Sequence, residues 1–477
     1  MTVPARAEFS LTLADSQAFA EFSGDSNPLH VDPVAARRTQ FGSTVVHGIH
    51  AVLKALDLLA PHWLRPGQQL VGLNATFHNP IRTGTAATVT ATAAEDGRWR
   101  IQAESGSRPA FTLTLRLATA GAPPPPAPGR PPARSPQRLV FPPQAAAGTV
   151  PLCIDDALFA RLLPALRANG CAPWVAELAA TTNVVGMECP GLDSIYSGFK
   201  LAHDEALAPT GALAYRIERV DPRFRLARLA VTGSWMAGTL DTFFRPPAVA
   251  QRSLQDVIGA IPAGRHAGQR VLVVGGSRGL GEIAAKILIA GGADVTITYA
   301  RGQRDAEALQ TEAEGAGRRC RILALDAAAP LPSSLQDTLA GASYSHLCFF
   351  ASPHIEKNAT GRWDAALFDR FASIYVQGFA AVVGAAVGAR RRGQDAPLQV
   401  LYPSSVFLDT DEPGFAEYCA AKSAGESVGR HMMQALPVEV RAPRLPRMRT
   451  DQTSALMDVG VEDPFPVLEQ QLRGYAA

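Results

Sequence analysis

Residues 48–59 place Ile49, Val52, Leu53 and Leu56 at i, i+3, i+4 and i+7, which predicts a helix with one face in a core. A shorter apolar stretch carrying Phe19 and Phe22 precedes it, and Gly24 supplies a stop. Beyond Phe77 the period falls to two. Three alternating runs follow the Thr83-Gly84 pair. A similar block follows Phe199, with Thr210-Gly211 in the matching place and a less regular helical stretch at 174–180 before it. A helix wrapped by a curved antiparallel meander is an α+β arrangement, and two such blocks side by side can close one shared core.

From residue 268 the pattern changes. Short, nearly continuous Val/Ile/Leu runs alternate with helical stretches, as in VLVV at 271–274 and HLCFF at 346–350. Strands buried on both faces indicate a parallel sheet, so this segment is expected to be α/β and doubly wound.

Prolines locate the joints. APPPPAPGRPPARSP, residues 122–136, is read as a semi-rigid linker outside helix and sheet, and 248–267 as a softer one. The expected division is 1–121, 137–247 and 268–477, and a length of 477 residues agrees with about three units. With 47% hydrophobic and 18% charged residues and a net charge of +2, neither wholesale disorder nor a nucleic-acid surface is expected. No apolar run is read as reaching the ~18–20 residues of a membrane span. The N-terminus lacks the apolar core of an export signal, so a cytoplasmic location is expected. The six dispersed cysteines are read as free thiols, and the ten histidines show no metal-ligand spacing, so no metal is expected.

Candidate chemistry appears first in FAEFSGDSNPLHVDPVAARRTQFGSTVVHGIH, residues 19–50. Asp25, Asn27 and His30 lie around Pro28 in what reads as a non-helical turn, and Asp32-Pro33 reads as a helix cap. A carboxylate and an imidazole held together can share a water and divide the acid and base roles. His47-Gly48 opens the long helix, where a backbone N–H can hold a developing enolate oxygen. The string Ser23-Gly24-Asp25-x-Asn27-Pro28-Leu29-His30-x-Asp32, with Phe41-Gly42, His47-Gly48 and Phe77-x-x-Pro80-x-x-x-Gly84, closely resembles the MaoC-like (R)-specific enoyl-thioester hydratase/dehydratase family of hot-dog folds. The resemblance implies addition or removal of water across C2–C3 of an acyl thioester, with Asp25 and His30 as the catalytic pair and the Gly48 N–H as oxyanion donor. The second block has no such string and looks like the non-catalytic half of a double hot-dog. Its GLDSI, residues 191–195, matches a carrier-protein serine motif only superficially, because a strand-like stretch follows it.

The second candidate site begins where VLVV meets Gly275-Gly276-Ser277-Arg278-Gly279-Leu280-Gly281. Glycines admit a pyrophosphate to the backbone, and the following helix N-terminus favours its charge. Downstream, Tyr418 and Lys422 share a helix face, and Ser405 lies thirteen residues before Tyr418. The Lys422 ammonium is expected to lower the Tyr418 phenol pKa, and Ser405 to bond the same carbonyl oxygen. The set resembles the short-chain dehydrogenase/reductase family over about 268–457, implying a Rossmann-type sheet, Asp326 at the adenine and 447–453 beside the nicotinamide. Departures are Phe349-Phe350-Ala351-Ser352 after the fourth strand, Tyr375 where the family has a helix asparagine, and a chain end that leaves out a seventh strand in favour of a terminal helix. No carboxylate follows the second strand, whereas Arg278 and Arg301 can take a 2′-phosphate, so NADP(H) is the expected cofactor.

Together these readings describe a bifunctional enzyme that reduces a 3-oxoacyl thioester and dehydrates the product. Two alternatives stay open: a hydratase whose reductase-like domain only binds, and a hydratase/dehydrogenase working oxidatively. The expected partner is an acyl thioester on coenzyme A or a carrier protein, with no nucleic acid and no membrane span; a homodimer is one open assembly.

Overall fold

The computed structural model describes residues 5–474 apart from 66, 95–96, 107, 359 and 455–459. The chain forms two compact units, one of Met1–Pro247 and one of Ala248–Ser454 with Val459–Ala477.

The first unit is built on one ten-stranded antiparallel sheet. One half runs Ala5–Ser10, Ala86–Ala93, Arg98–Ser105, Arg108–Ala118, Gln69–Phe77. The other repeats this order outward from the middle as Ser194–His203, Met236–Phe244, Leu226–Thr232, Ala212–Asp221, Ala147–Pro151. The halves join between Gln69–Phe77 and Ser194–His203, from Gly72 opposite Ala202 to Thr76 opposite Gly198. Helix Gly48–Trp63 buries Ile49, Val52, Leu53 and Leu56 completely, the stripe its sequence shows. Helix Ala172–Asn183 is buried on all sides from Trp174 onward, which is why no stripe marks it. It runs straight into a π-helical turn, Val184–Glu188. Trp63 and Trp174 meet edge to face at 6.3 Å.

The proline-rich segment is not a free spacer. Ala127–Pro128 pairs in parallel with Cys153–Ile154, so two of its residues do enter a strand ladder. Arg130 bonds Glu21 at 2.6 Å and Asp155 at 2.7 Å. Arg134 donates to Asn183 Oδ1 at 2.6 Å and pairs with Glu188. The segment is a strap, held because its arginines reach carboxylates that composition alone does not reveal.

The second unit contains a six-stranded parallel sheet in the order Cys320–Ala324, Asp294–Tyr299, Arg270–Val274, His346–Phe349, Leu398–Leu401, Val438–Arg441. The order reverses between Arg270–Val274 and His346–Phe349, and ligands favour the crevice at such a switch point. Residues 248–267 are not a linker either. Ser253 caps helix Leu254–Ala260, whose Leu254 and Val257 are fully buried in this unit's core. Among the described residues the sheet has no seventh strand, and the chain continues into helix Pro464–Arg473 with Leu468 and Leu472 buried.

One helical run bears on the expectation that no membrane span is present. The helical run Ala365–Val387, 23 residues at mean hydropathy 1.4, is long and apolar enough by length and composition. In this unit it packs into the core through Phe371, Phe379, Val382 and Val383.

Candidate active sites

In the first unit, helix Leu13–Ser23 stops at Gly24, whose φ of 75° is a left-handed cap. The turn that follows is partly helical, contrary to expectation. Asn27 caps a short helix, Pro28–Val31, through its side-chain oxygen, and that helix carries His30. Proline at its first position favours this. Asp32 then caps Pro33–Ala36 by accepting from Val34 and Ala35 N–H.

The Asp25 carboxylate is buried. Its Oδ2 accepts from Thr182 Oγ1 at 2.7 Å, and its Oδ1 from the Asn27 N–H at 3.2 Å. Burial raises its pKa, while His30 and these hydrogen bonds pull the other way. His30 Nδ1 lies 2.8 Å from the Val45 carbonyl. A carbonyl only accepts, so Nδ1 carries the proton and Nε2 keeps a lone pair. Desolvation lowers the His30 pKa, which keeps that lone pair available near neutrality. Both residues line a cavity of about 400 Å³, with Gly48, Phe77, Thr182 and Tyr196 also in its wall. Gly48 is the first residue of its helix, so its N–H has no intrahelical partner. A Cβ there would stand 2.8 Å from the Phe77 ring.

Asp25, His30 and His47 offer ligand atoms within 4.8 Å of one another, a cluster that sequence spacing missed. The His30 and His47 rings stack at 3.9 Å with planes 26° apart. Imidazole lone pairs lie in the ring plane, so nearly parallel stacked rings do not converge on one ion. His47 Nε2 instead lies 3.0 Å from the Asp25 carbonyl and steadies that turn.

The second half also contributes to the site, through residues with no local signal in the sequence. Thr182 holds the carboxylate, Asn183 donates to the Ser23 carbonyl at 3.0 Å, and Gly186 leaves room for Asp25. A Cβ on Gly186 would lie 2.2 Å from Asp25 Oδ1.

In the second unit, Gly275 has φ 76° and Gly279 φ 60°. Thr298, also unforeseen, fixes the loop: its Oγ1 and carbonyl accept from the Gly275 and Gly276 N–H groups. A Cβ on Gly281 would meet the Gly275 carbonyl at 2.2 Å, so this glycine lets the helix pack on the turn. The space beside Gly279 is nearly open, with only Thr450 Cγ2 at 3.9 Å. Ser277 is buried in the loop, and Leu280, the second residue of the helix Gly279–Ala290, is half-buried. Arg278 reaches Asp451 at 3.4 Å, Arg301 is exposed after its strand, and exposed Asp326 accepts from the Ala328 N–H.

Ser405, Tyr418 and Lys422 are all buried. Ser405 ends a two-residue strand, Ser404–Ser405, paired with Arg444–Leu445. Tyr418 and Lys422 share helix Ala416–Ala435. The expected lowering of the Tyr418 pKa is not found. Burial pushes the phenol up to about 12, against the Ser405 hydroxyl bonded to it. Lys422 is itself pulled down to about 7 by burial, and its Nζ donates to the Pro403 carbonyl at 2.7 Å.

The short chain dehydrogenase family model matches residues 269–445, and the MaoC like domain family model matches residues 1–109. The chain is an N-terminal MaoC-like domain fused to a C-terminal short-chain dehydrogenase/reductase domain. Over 85 residues it is 31% identical to the 3-hydroxybutyryl-CoA dehydratase of Methylorubrum extorquens, covering 18% of this chain and 54% of that protein. It is 35% identical over 75 residues to the (R)-specific enoyl-CoA hydratase of Aeromonas caviae, covering 16% and 56%. The chain thus spans about half the length of these curated relatives. Among solved structures, a short-chain dehydrogenase from Burkholderia cenocepacia in complex with NADP aligns at 22% identity and TM-score 0.38, over 45% of this chain and 92% of that one.

Proposed function

We propose that the protein is a bifunctional acyl-thioester enzyme. Its first unit is read as a double hot-dog, with a catalytic half over 1–121, the strap over 122–136 and a non-catalytic half over 137–247. This unit interconverts 3-hydroxyacyl and trans-2-enoyl thioesters. The observation that carries the reading is the enclosed Asp25–His30 pair beside the Gly48 N–H. In the dehydration direction the neutral Nε2 of His30 takes the C2 proton, and the Gly48 N–H holds the enolate oxygen. Asp25, whose pKa burial raises, carries the proton that leaves with the C3 hydroxyl as water.

The second unit, from residue 248 onward, is proposed to reduce 3-oxoacyl thioesters with NADPH. The glycine turn supports this, because Gly279 combines a positive φ with open space where a pyrophosphate can approach the helix start. Gly275, Ser277, Arg278, Leu280 and Gly281 would complete that cradle, Arg278 and Arg301 would meet the 2′-phosphate, and Asp326 would lie at the adenine. NADPH, when bound, supplies the hydride. Tyr418 then gives its proton to the carbonyl oxygen that Ser405 also holds, and Lys422 favours the phenolate left behind. A phenol at about 12 remains protonated and able to donate at neutral pH.

Reduction followed by loss of water makes the two steps consecutive, on coenzyme A or a carrier protein. The test is to supply 3-oxoacyl thioesters of C4–C12 length with NADPH and follow both cofactor oxidation and enoyl formation. NADPH binding without substrate-dependent oxidation would reduce the second unit to a binding module.

A further inference from the structure

Tyr375 lies on a π-helical turn, Ser373–Gly378, within an otherwise α-helical run. Such single-turn bulges are frequent at functional sites, because the extra residue re-aims a side chain. Here the bulge does two things. It directs the Tyr375 carbonyl to the Tyr402 hydroxyl, which donates to it at 3.1 Å. It also sets the Tyr375 ring beneath the buried Lys422 ammonium, 3.9 Å from Nζ to the ring centroid. The Tyr402 ring faces the same ammonium at 4.9 Å. The helix bearing Lys422 comes this close because residue 425 is glycine, where a Cβ would lie 2.0 Å from the Tyr402 hydroxyl. The Tyr375 hydroxyl points elsewhere, bonded to Ser352 Oγ at 2.6 Å.

We infer that Tyr375 is a positioning residue of the reductase centre that acts through its aromatic face, seating the Lys422 ammonium, and not through its hydroxyl. The inference rests on reading the second unit as a reductase, and it names a part that the Ser405, Tyr418 and Lys422 set does not contain. Among the described residues, the hydrogen bond of Lys422 Nζ goes to a neutral acceptor, the Pro403 carbonyl. The groups that bear on its charge are the Tyr375 and Tyr402 rings, Tyr418 one turn back, and Glu426 one turn on, which Arg444 also engages. A ring's negative face favours a desolvated cation. Tyr375 therefore opposes the loss of the Lys422 proton that burial promotes. Its ring also stacks on Phe371 at 6.1 Å and meets Tyr418 edge-on at 5.8 Å, which fixes its tilt.

The experiment measures the protonation of Lys422 directly. Its acylation by a small anhydride is followed by peptide mass spectrometry from pH 5.5 to 10 in the full-length wild type, Tyr375→Phe and Tyr375→Leu. Phenylalanine keeps the face and removes the hydroxyl; leucine removes both. The expected result is an unchanged midpoint in Tyr375→Phe and a midpoint about one pH unit lower in Tyr375→Leu. Using midpoints, not rates, separates protonation from any change in access. A shift in Tyr375→Phe equal to that in Tyr375→Leu, or none in either, overturns the inference. Where Tyr375→Leu does not fold, Tyr375→Met, which also lacks the ring, takes its place, and an unchanged midpoint in it overturns the inference. Failure of the reductase reading is a separate result: wild-type NADPH oxidation is absent while the midpoints behave as stated.

Discussion

Thr182 donates a 2.7 Å hydrogen bond to the carboxylate of Asp25, 157 positions earlier in the chain. The half of the first unit without an acid–base string of its own therefore completes the half that has one. A hydrogen bond to a charged group contributes roughly 1.5–3 kcal/mol. Thr182→Val is expected to cut the kcat/KM for enoyl-thioester hydration about 10- to 100-fold, and Thr182→Ser to restore most of it. Steady-state hydration assays on both variants check this, and wild-type rates in Thr182→Val would refute it.

Asp25→Asn and His30→Ala should each abolish interconversion of enoyl and 3-hydroxyacyl thioesters, by about 10²–10⁴-fold, with NADPH oxidation by the second unit retained. Measuring both half-reactions on each purified variant separates a lost acid or base from a misfolded chain. Hydration near the wild-type rate in either one would remove the pair from the mechanism.

The second unit should bind NADPH more tightly than NADH, by about ten- to a hundredfold for each arginine that engages the 2′-phosphate. Calorimetry on Arg278→Ala and Arg301→Ala should show the preference shrink while NADH binding stays level. Equal affinity of the wild type for both cofactors would move the reading toward the oxidative direction.

Acid should weaken the first unit. His50 is buried against Phe19, ring centroids 4.3 Å apart, and burial lowers its pKa from 6.5 to about 3. The unfolded chain takes up this proton near pH 6.5, whereas the folded chain resists it until about pH 3. The unfolded state then binds more protons throughout that window, and stability falls as pH drops through it. The slope is about 1.4 kcal/mol per pH unit for one such group, and His47, also lowered by burial, adds in the same sense. Urea unfolding midpoints at pH 7.5 and 5.0 measure this, and His50→Phe should flatten the difference. Identical midpoints in the wild type would contradict it.

What the sequence discloses depends on whether a residue's partners are near it in the chain. Helix Gly48–Trp63 packs one face, so Ile49, Val52, Leu53 and Leu56 announce it. Helix Ala172–Asn183 is enclosed on every side, so its pattern carries no period. Asp25, His30 and Gly48 lie in one continuous string whose turn chemistry is local. Thr182, Asn183 and Gly186 reach the same cavity only because two half-sheets join between Gln69–Phe77 and Ser194–His203, and no nearby residue marks them. In the second unit the glycine turn, Tyr418 and Lys422 are legible by spacing. The use of Tyr375 is not, because spacing shows a hydroxyl where the fold employs a ring. Proline density reports what a backbone cannot do, not what Arg130 and Arg134 reach, so it does not disclose that 122–136 is pinned as a strap.

Because both half-sheets belong to one polypeptide, the meeting of Thr182 with Asp25 is an intramolecular event. A pocket assembled from two separate chains empties as the protein is diluted, since its parts drift apart by mass action. Here the covalent connection sets the local concentration of one half around the other, whatever the bulk concentration. The hydration centre should therefore keep its specific activity at nanomolar protein, and one copy of the chain should carry one such centre.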